Sequence, residues 1–253
     1  MTRRRNRRIR LSTPRHHRPP GRTGVFRAQP PRTAQLTPWE GDGPVSGVAL
    51  LLPGGFIRSR RGPLRIAELG LRGLAAELTG RGRPHGLAVH LLRYRYSGWN
   101  GADADTAVDT RWALDELERH YPGTPVVLIG NSLGGRAAFW CAGHPNVAAV
   151  AGIAPWLPSG DKVEHLAGRR VLIVHGTADR SAASATQSLE YALRARQVTP
   201  ELARYEVPGG SHYLVRQSAA VNALTTDFTL AALGAGTAPT ATGAVCTRLP
   251  ARA

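Results

Sequence analysis

The sequence predicts a three-layer α/β/α sandwich built on a mostly parallel, doubly wound sheet. Two observations carry that prediction. From about residue 45 to residue 233, short apolar runs alternate with helix-like segments, the pattern of an α/β fold. One run, Pro125-Val126-Val127-Leu128-Ile129, leads directly into Gly130-Asn131-Ser132-Leu133-Gly134. A G-x-S-x-G pentapeptide between a strand and a helix has the form of a nucleophile elbow, where small residues on either side relieve crowding around a strained turn.

Each element follows from local pattern. Residues 45–52 read as the first strand, stopped by Pro53-Gly54-Gly55. Residues 64–78 place leucine and alanine at helical spacing, running out at Gly80 and Gly82. Residues 86–94 form the next strand, with Leu87, Val89 and Leu91 on one face. An amphipathic helix spans residues 105–121, with Asp105 as its candidate N-cap and Pro122-Gly123 as its stop. The elbow strand and a helix over residues 135–141 come next, ending near Gly143-His144-Pro145. Strands at 147–153 and 170–174 enclose a segment too short for a large lid, which implies an open site with minimal or no lid. A helix at 183–196, a last strand at 203–207 and a closing helix at 219–233 complete the domain. Six strands are legible, and any further N-terminal strands are not.

Outside this region the composition changes. Residues 1–43 mix arginine, proline, histidine and threonine with almost no apolar period, and are expected to be a disordered arm. Residues 234–253 are expected to be a disordered tail, leaving one domain at 44–233. The formal charge of +16 is concentrated at the start: eleven arginines, from Arg3 to Arg32, precede the first acidic residue, Glu40. Lys162 is the sole lysine, so the preference for arginine reflects codon bias as much as phosphate contact. The arm could hold nucleic acid or an anionic surface non-specifically, but the body offers no specific nucleic-acid signature. Cys141 and Cys246 are far apart in the chain and read as free thiols. No apolar run is long enough to span a bilayer, and no apolar stretch follows the N-terminal arginines as in a secretory signal. The expectation is a soluble cytoplasmic protein with no membrane partner.

In a doubly wound sheet, ligands bind beyond the carboxyl ends of the strands, and the reactive residues of this chain fall there. Ser132 follows one strand, Asp179 lies five residues beyond Val174, and His212 lies five beyond Val207. A serine hydroxyl is a poor nucleophile until an imidazole removes its proton, and a carboxylate holds that imidazole in the required tautomer. His212 and Asp179 suit those roles. His175 competes with His212, and Asp161, after a different strand, is the rival acid. The developing oxyanion needs two backbone N–H donors: Leu133 for one, and Gly55 or Phe56 in the turn after the first strand for the other. Trp99 and Asn100 either line the pocket or anchor their loop.

Four segments together resemble a compact α/β-hydrolase-fold serine hydrolase of the dienelactone-hydrolase and esterase-like branches. They are Leu51-Leu52-Pro53-Gly54-Gly55-Phe56, Gly130-Asn131-Ser132-Leu133-Gly134-Gly135, Val174-His175-Gly176-Thr177-Ala178-Asp179 and Gly210-Ser211-His212. The resemblance covers residues 48–233. It implies a small-molecule ester, thioester or amide substrate, an acyl-enzyme intermediate, and no metal or cofactor. Two departures stand out. Pro53 replaces the histidine many relatives carry before the oxyanion glycines. Asn131 replaces the histidine or aromatic residue often found before the nucleophile, leaving that side of the pocket more polar. A carboxylic ester hydrolase is the leading expectation. An acyltransferase or peptidase would use the same residues, and a non-catalytic scaffold with a nucleic-acid-binding arm is the alternative of a different class.

Overall fold

The structure is a computed structural model that describes residues 32–39, 43–237 and 247–248. Among the described residues its sheet has eight strands in the order β1-β3-β2-β4-β5-β6-β7-β8, with β1 at Gln35–Pro38 and β8 at Thr247–Arg248. Strands β2 (Gly47–Leu52), β3 (Leu87–Arg93), β4 (Val126–Asn131), β5 (Val147–Ile153), β6 (Arg170–Gly176) and β7 (Leu202–Val207) are the six predicted from sequence, and they run parallel. Their near-continuous apolar character has a physical cause, since a parallel sheet covered by helices is buried on both faces. In β2, Val48, Leu50 and Leu52 enter one core while Ala49 and Leu51 enter the other. Successive side chains of a strand point to opposite faces, so one strand serves both layers.

Helices α3 (Asp105–His120), α4 (Leu133–Cys141) and α5 (Ala185–Ala195) pack on the first face, and α2 (Arg72–Gly82) and α6 (Ser218–Ala232) on the second. The chain passes from β2 outward to β3 and then back across β2 to β4. That reversal leaves a crevice beyond the carboxyl ends of β2 and β4, which is where this architecture binds ligands. Between β5 and β6 the chain makes only a short 3₁₀ turn at Glu164–Leu166, with no inserted domain.

The flanks depart from the sequence reading. Strand β1 (Gln35–Pro38) lies inside the stretch predicted to be a disordered arm and pairs antiparallel with β3, and the compact unit begins at Arg32 rather than at residue 44. Strand β8 (Thr247–Arg248), inside the predicted tail, pairs antiparallel with β7. β1 has only four residues, none of them buried, and β8 only two, so neither carries the continuous apolar run by which the inner strands are read. Residues 1–31 and 40–42 of the predicted arm, and residues 238–246, with Cys246, and 249–253 of the tail, lie outside the described residues.

Two helical expectations also change. The helix expected over 64–78 is two helices, α1 (Arg65–Gly70) and α2, broken at Leu71. Gly70 and Gly73 flank the break, and each lowers helix propensity by about 1 kcal/mol. Asp105 does not cap α3: the N-cap is Ala104, in the left-handed region at φ 43°. The Asp105 carboxylate instead accepts from Asn100 Nδ2 at 2.8 Å and sits 3.5 Å from Arg95.

Cys141 ends α4 with its Sγ donating to the Ala107 carbonyl at 3.4 Å. Burial pushes its thiol up to about 12, against a smaller opposing effect of Arg111. The thiolate is the reactive form. Peptide mapping after iodoacetamide treatment at pH 8 is therefore expected to find Cys141 unmodified in the native protein and modified in guanidinium chloride. Full native modification would contradict its placement.

Candidate active site

The crevice is built by the carboxyl ends of β2, β4, β5, β6 and β7. At the end of β4 the chain turns into α4 through Ser132, whose φ of 53° and ψ of −116° are strained for a residue with a side chain. The glycines around it make the turn feasible. A Cβ at Gly134 would fall onto the Leu52 and Pro53 carbonyls, and one at Gly130 onto the Gly134 carbonyl. The Ser132 N–H donates to the Ile153 carbonyl at 3.0 Å, and its own carbonyl accepts from Trp156 N–H at 3.0 Å. Strands β2, β4 and β5 thus meet at one residue.

His212 approaches from the loop after β7. Its Nε2 lies 2.9 Å from Ser132 Oγ and its Nδ1 lies 2.7 Å from Asp179 Oδ2. A carboxylate can only accept, so Nδ1 carries the hydrogen and Nε2 is left to accept from the serine hydroxyl. The Asp179 side chain is fully buried, and Ser181 N–H donates to its Oδ1 at 2.9 Å. Burial pushes this carboxyl up, but the hydrogen bonds from Ser181 and His212 outweigh it and hold the group below the ordinary carboxylate range. Asp179 is therefore an anion at neutral pH. Ser181 Oγ also lies 3.2 Å from His212 Nδ1.

A cleft of about 200 Å³ opens on Ser132 and His212, lined further by Gly55, Phe56, Ile57, Leu133 and Trp156, and by the Ser181–Ala183 segment. Leu133, at the first turn of α4, has an N–H with no helical carbonyl to bond. Gly55 and Phe56 are separated as amide donors: Phe56 N–H donates to the Ser97 carbonyl at 2.8 Å, so it is not the free donor, although the residue lines the cleft. A Cβ at Gly55 would meet the Ser97 carbonyl and the Leu133 side chain, so the turn passes close against the elbow.

Three expected lining residues do not line the cleft. Trp99 is buried, with the Arg136 guanidinium 3.9 Å from its ring centroid. Asn100 anchors its loop, accepting from Ser59 N–H at 2.8 Å and donating to the Ser59 carbonyl at 3.1 Å. Asn131 turns away from the cleft and donates to the Ile153 carbonyl at 3.2 Å. The rival residues are engaged elsewhere. Asp161 holds Arg136 in a two-pronged ion pair at 2.7 and 2.8 Å, and His175 lies against Asp179 rather than Ser132.

Sequence reasoning missed Trp156, Ile57 and the Ser181–Ala183 wall. Trp156 stands three residues beyond β5, so the rule about strand ends could have found it. Its ring is held by Arg136, 4.5 Å from the centroid, and Arg136 is in turn fixed by Asp161. Among the described residues no cluster of three or more His, Cys, Asp or Glu side chains is arranged to hold a metal ion.

A model of the alpha/beta hydrolase fold matches residues 52–239. The chain belongs to the α/β-hydrolase-fold family. No curated protein matches it in sequence. Among solved structures it is similar to Est1E from Butyrivibrio proteoclasticus, determined with ferulic acid bound, at 13% identity over 80% of this chain and 95% of that one, with a TM-score of 0.58. A monoacylglycerol lipase from Paleococcus ferrophilus is similar at 14% identity, covering 79% of this chain and 99% of its own, with a TM-score of 0.60. A serine hydrolase without a lid from Xanthomonas campestris shares 15% identity over 78% and 87% of the two chains, with a TM-score of 0.52. Such distant likenesses speak for the shared hydrolase fold.

The glycines of this hydrolase separate two physical roles. Gly134→Ala is expected to destabilise the protein by about 1–3 kcal/mol or more, because the Leu52 and Pro53 backbone blocks the new methyl. Gly80→Ala, in open space within α2, should stabilise it by up to about 1 kcal/mol through helix propensity. Thermal melts of the two variants check the opposite signs.

Proposed function

We propose that the protein is a serine hydrolase that cleaves a carboxylic ester or thioester through an acyl-enzyme intermediate. The observation that carries this reading is the continuous chain from Ser132 Oγ through His212 to the buried Asp179 carboxylate, with spacings of 2.9 and 2.7 Å. In this reading His212 Nε2 takes the serine proton as Oγ attacks the substrate carbonyl. The imidazolium then protonates the departing alcohol or thiol, and a water activated by the same nitrogen releases the acid. Asp179 keeps the imidazole oriented and balances its charge, without itself taking the proton. The free N–H groups of Gly55 and Leu133 stabilise the oxyanion.

The cleft favours a modest acyl or alcohol group. Its volume of about 200 Å³ lies below the range of about 300–1,000 Å³ common for drug-sized ligands. Any longer chain must lie across the exposed Phe56, Ile57 and Tyr213 side chains at the mouth. The lidless serine hydrolase supports an open site of this kind, and the monoacylglycerol lipase supports an ester substrate. The domain proposed to carry the activity begins at Arg32, so the arginine-rich stretch before it is not needed for chemistry. Among the described residues no helix is long and apolar enough to cross a membrane.

Ser132→Ala should abolish covalent labelling by a fluorophosphonate probe and lower turnover of p-nitrophenyl esters by several orders of magnitude. Equal labelling of the variant would rule out the reading. Deleting residues 1–31 should leave p-nitrophenyl acetate hydrolysis within about twofold of the full chain, measured side by side. Rates should fall as p-nitrophenyl acyl chains outgrow the cleft, and a rate rising steadily with chain length would contradict the size argument.

A further inference from the structure

The Asp179 carboxylate is touched by a second histidine that the proposed chemistry does not use. His175 occupies the penultimate position of β6, its side chain fully buried, with Nε2 3.0 Å from Asp179 Oδ2 and 2.8 Å from the Ala183 carbonyl. Asp179 and Ala183 are the only buried residues between Thr177 and Ala183; the others there are exposed. One ring nitrogen therefore reaches beneath the loop and meets both of its buried points.

The protonation of that nitrogen follows from its partners. A carbonyl and a carboxylate can only accept, so Nε2 must carry a hydrogen and share it between them. The opposite nitrogen, Nδ1, is buried with no partner among the described residues. A second proton there would leave a charged N–H with no acceptor. The surroundings oppose the charge as well: burial lowers the pKa of His175, the adjacent Asp179 only partly offsets this, and Arg204 on β7 lowers it further. Glu206, the register partner of His175 on β7, is occupied by an ion pair with Arg204. His175 is thus a neutral donor rather than a proton carrier.

We infer that His175 is a positioning residue, whose Nε2–H pins Asp179 and the Ala183 carbonyl together and so fixes the acid and one wall of the cleft as a unit. The inference rests on the proposed roles of Ser132, His212 and Asp179. With His175 and His212 donating to Oδ2 and Ser181 N–H to Oδ1, both oxygens of Asp179 are held and the carboxylate cannot rotate away from the imidazole. The Ala183 contact extends the effect, because Ala183 and its neighbours Ser181 and Ala182 line the cleft. Orientation of this kind matters steeply, since a misplacement near 1 Å can cost on the order of 100-fold in rate.

Two variants separate hydrogen bonding from bulk. His175→Phe keeps a ring without the donor, and His175→Gln keeps an N–H near the position of Nε2. Expected for the Phe variant is a loss on the order of 10- to 100-fold in kcat/KM for p-nitrophenyl acetate and in the rate of fluorophosphonate labelling. The Gln variant should recover most of that loss. Equal impairment of both, or a folded Phe variant with wild-type kinetics, overturns the inference. A measurement on the unaltered protein does not depend on either variant folding: ¹⁵N NMR of the histidine side chains should show His175 neutral and protonated on Nε2 between pH 5 and 9. A charged ring or a hydrogen on Nδ1 overturns the inference. Ser132→Ala assayed alongside distinguishes the two failures, because only a wrong assignment of the nucleophile would leave that variant labelled and active.

Discussion

The strained turn at Ser132 is the constraint on which the rest of the structure depends. A left-handed φ on a residue with a side chain costs on the order of 1–3 kcal/mol and persists only where surrounding structure enforces it. Here the enforcement comes from three strands. The Ile153 carbonyl holds the Ser132 N–H, the Trp156 N–H holds the Ser132 carbonyl, and the β2 carbonyls lie where a Cβ on Gly134 would be. Hydroxyl exposure at the crevice is therefore a property of the sheet, and moving any of β2, β4 or β5 would release it.

Around that turn, charge is handled by burial and pairing rather than by exposure. Asp179 is kept ionised inside the protein by N–H donors, while the neighbouring His175 is kept neutral by the same burial. Arg136 serves a different purpose: paired with Asp161 and stacked between Trp99 and Trp156, it braces the tryptophan that lines the cleft. Arg204 is likewise buried and bonded to Ser188 and the Ala185 carbonyl beneath α5. Most of the net charge of +16 lies in the eleven arginines before Glu40, so it says little about what the folded body meets at its surface.

The inner architecture was legible because its signals are local. A strand buried on both faces is apolar along nearly its whole length, and β2, β4 and β5 declare themselves that way. The elbow is legible for a similar reason, as only small residues fit beside a strained turn. Strands β1 and β8 were not legible, since four and two residues are too few to show a period and β1 has no buried residue to mark it. The division of the first long helix at Leu71 was equally hidden: the leucine spacing continues through the break, and burial takes hold only from Leu71 onward.

By itself the sequence determined the sheet's inner strands, the elbow, and the three residues at strand ends that the fold draws together, because apolar runs and glycine placement are short-range signals. Tertiary structure alone decided which of two adjacent amides, Gly55 or Phe56, is free, since that depends on the Ser97 carbonyl some forty residues away. It also decided that Trp99, Asn100 and Asn131 support the site from behind while Trp156 faces it, and that Asp161 serves Arg136 and His175 serves Asp179. Each of these outcomes is a competition for hydrogen-bond partners among residues distant in the chain, and such a competition is settled only once the chain has folded.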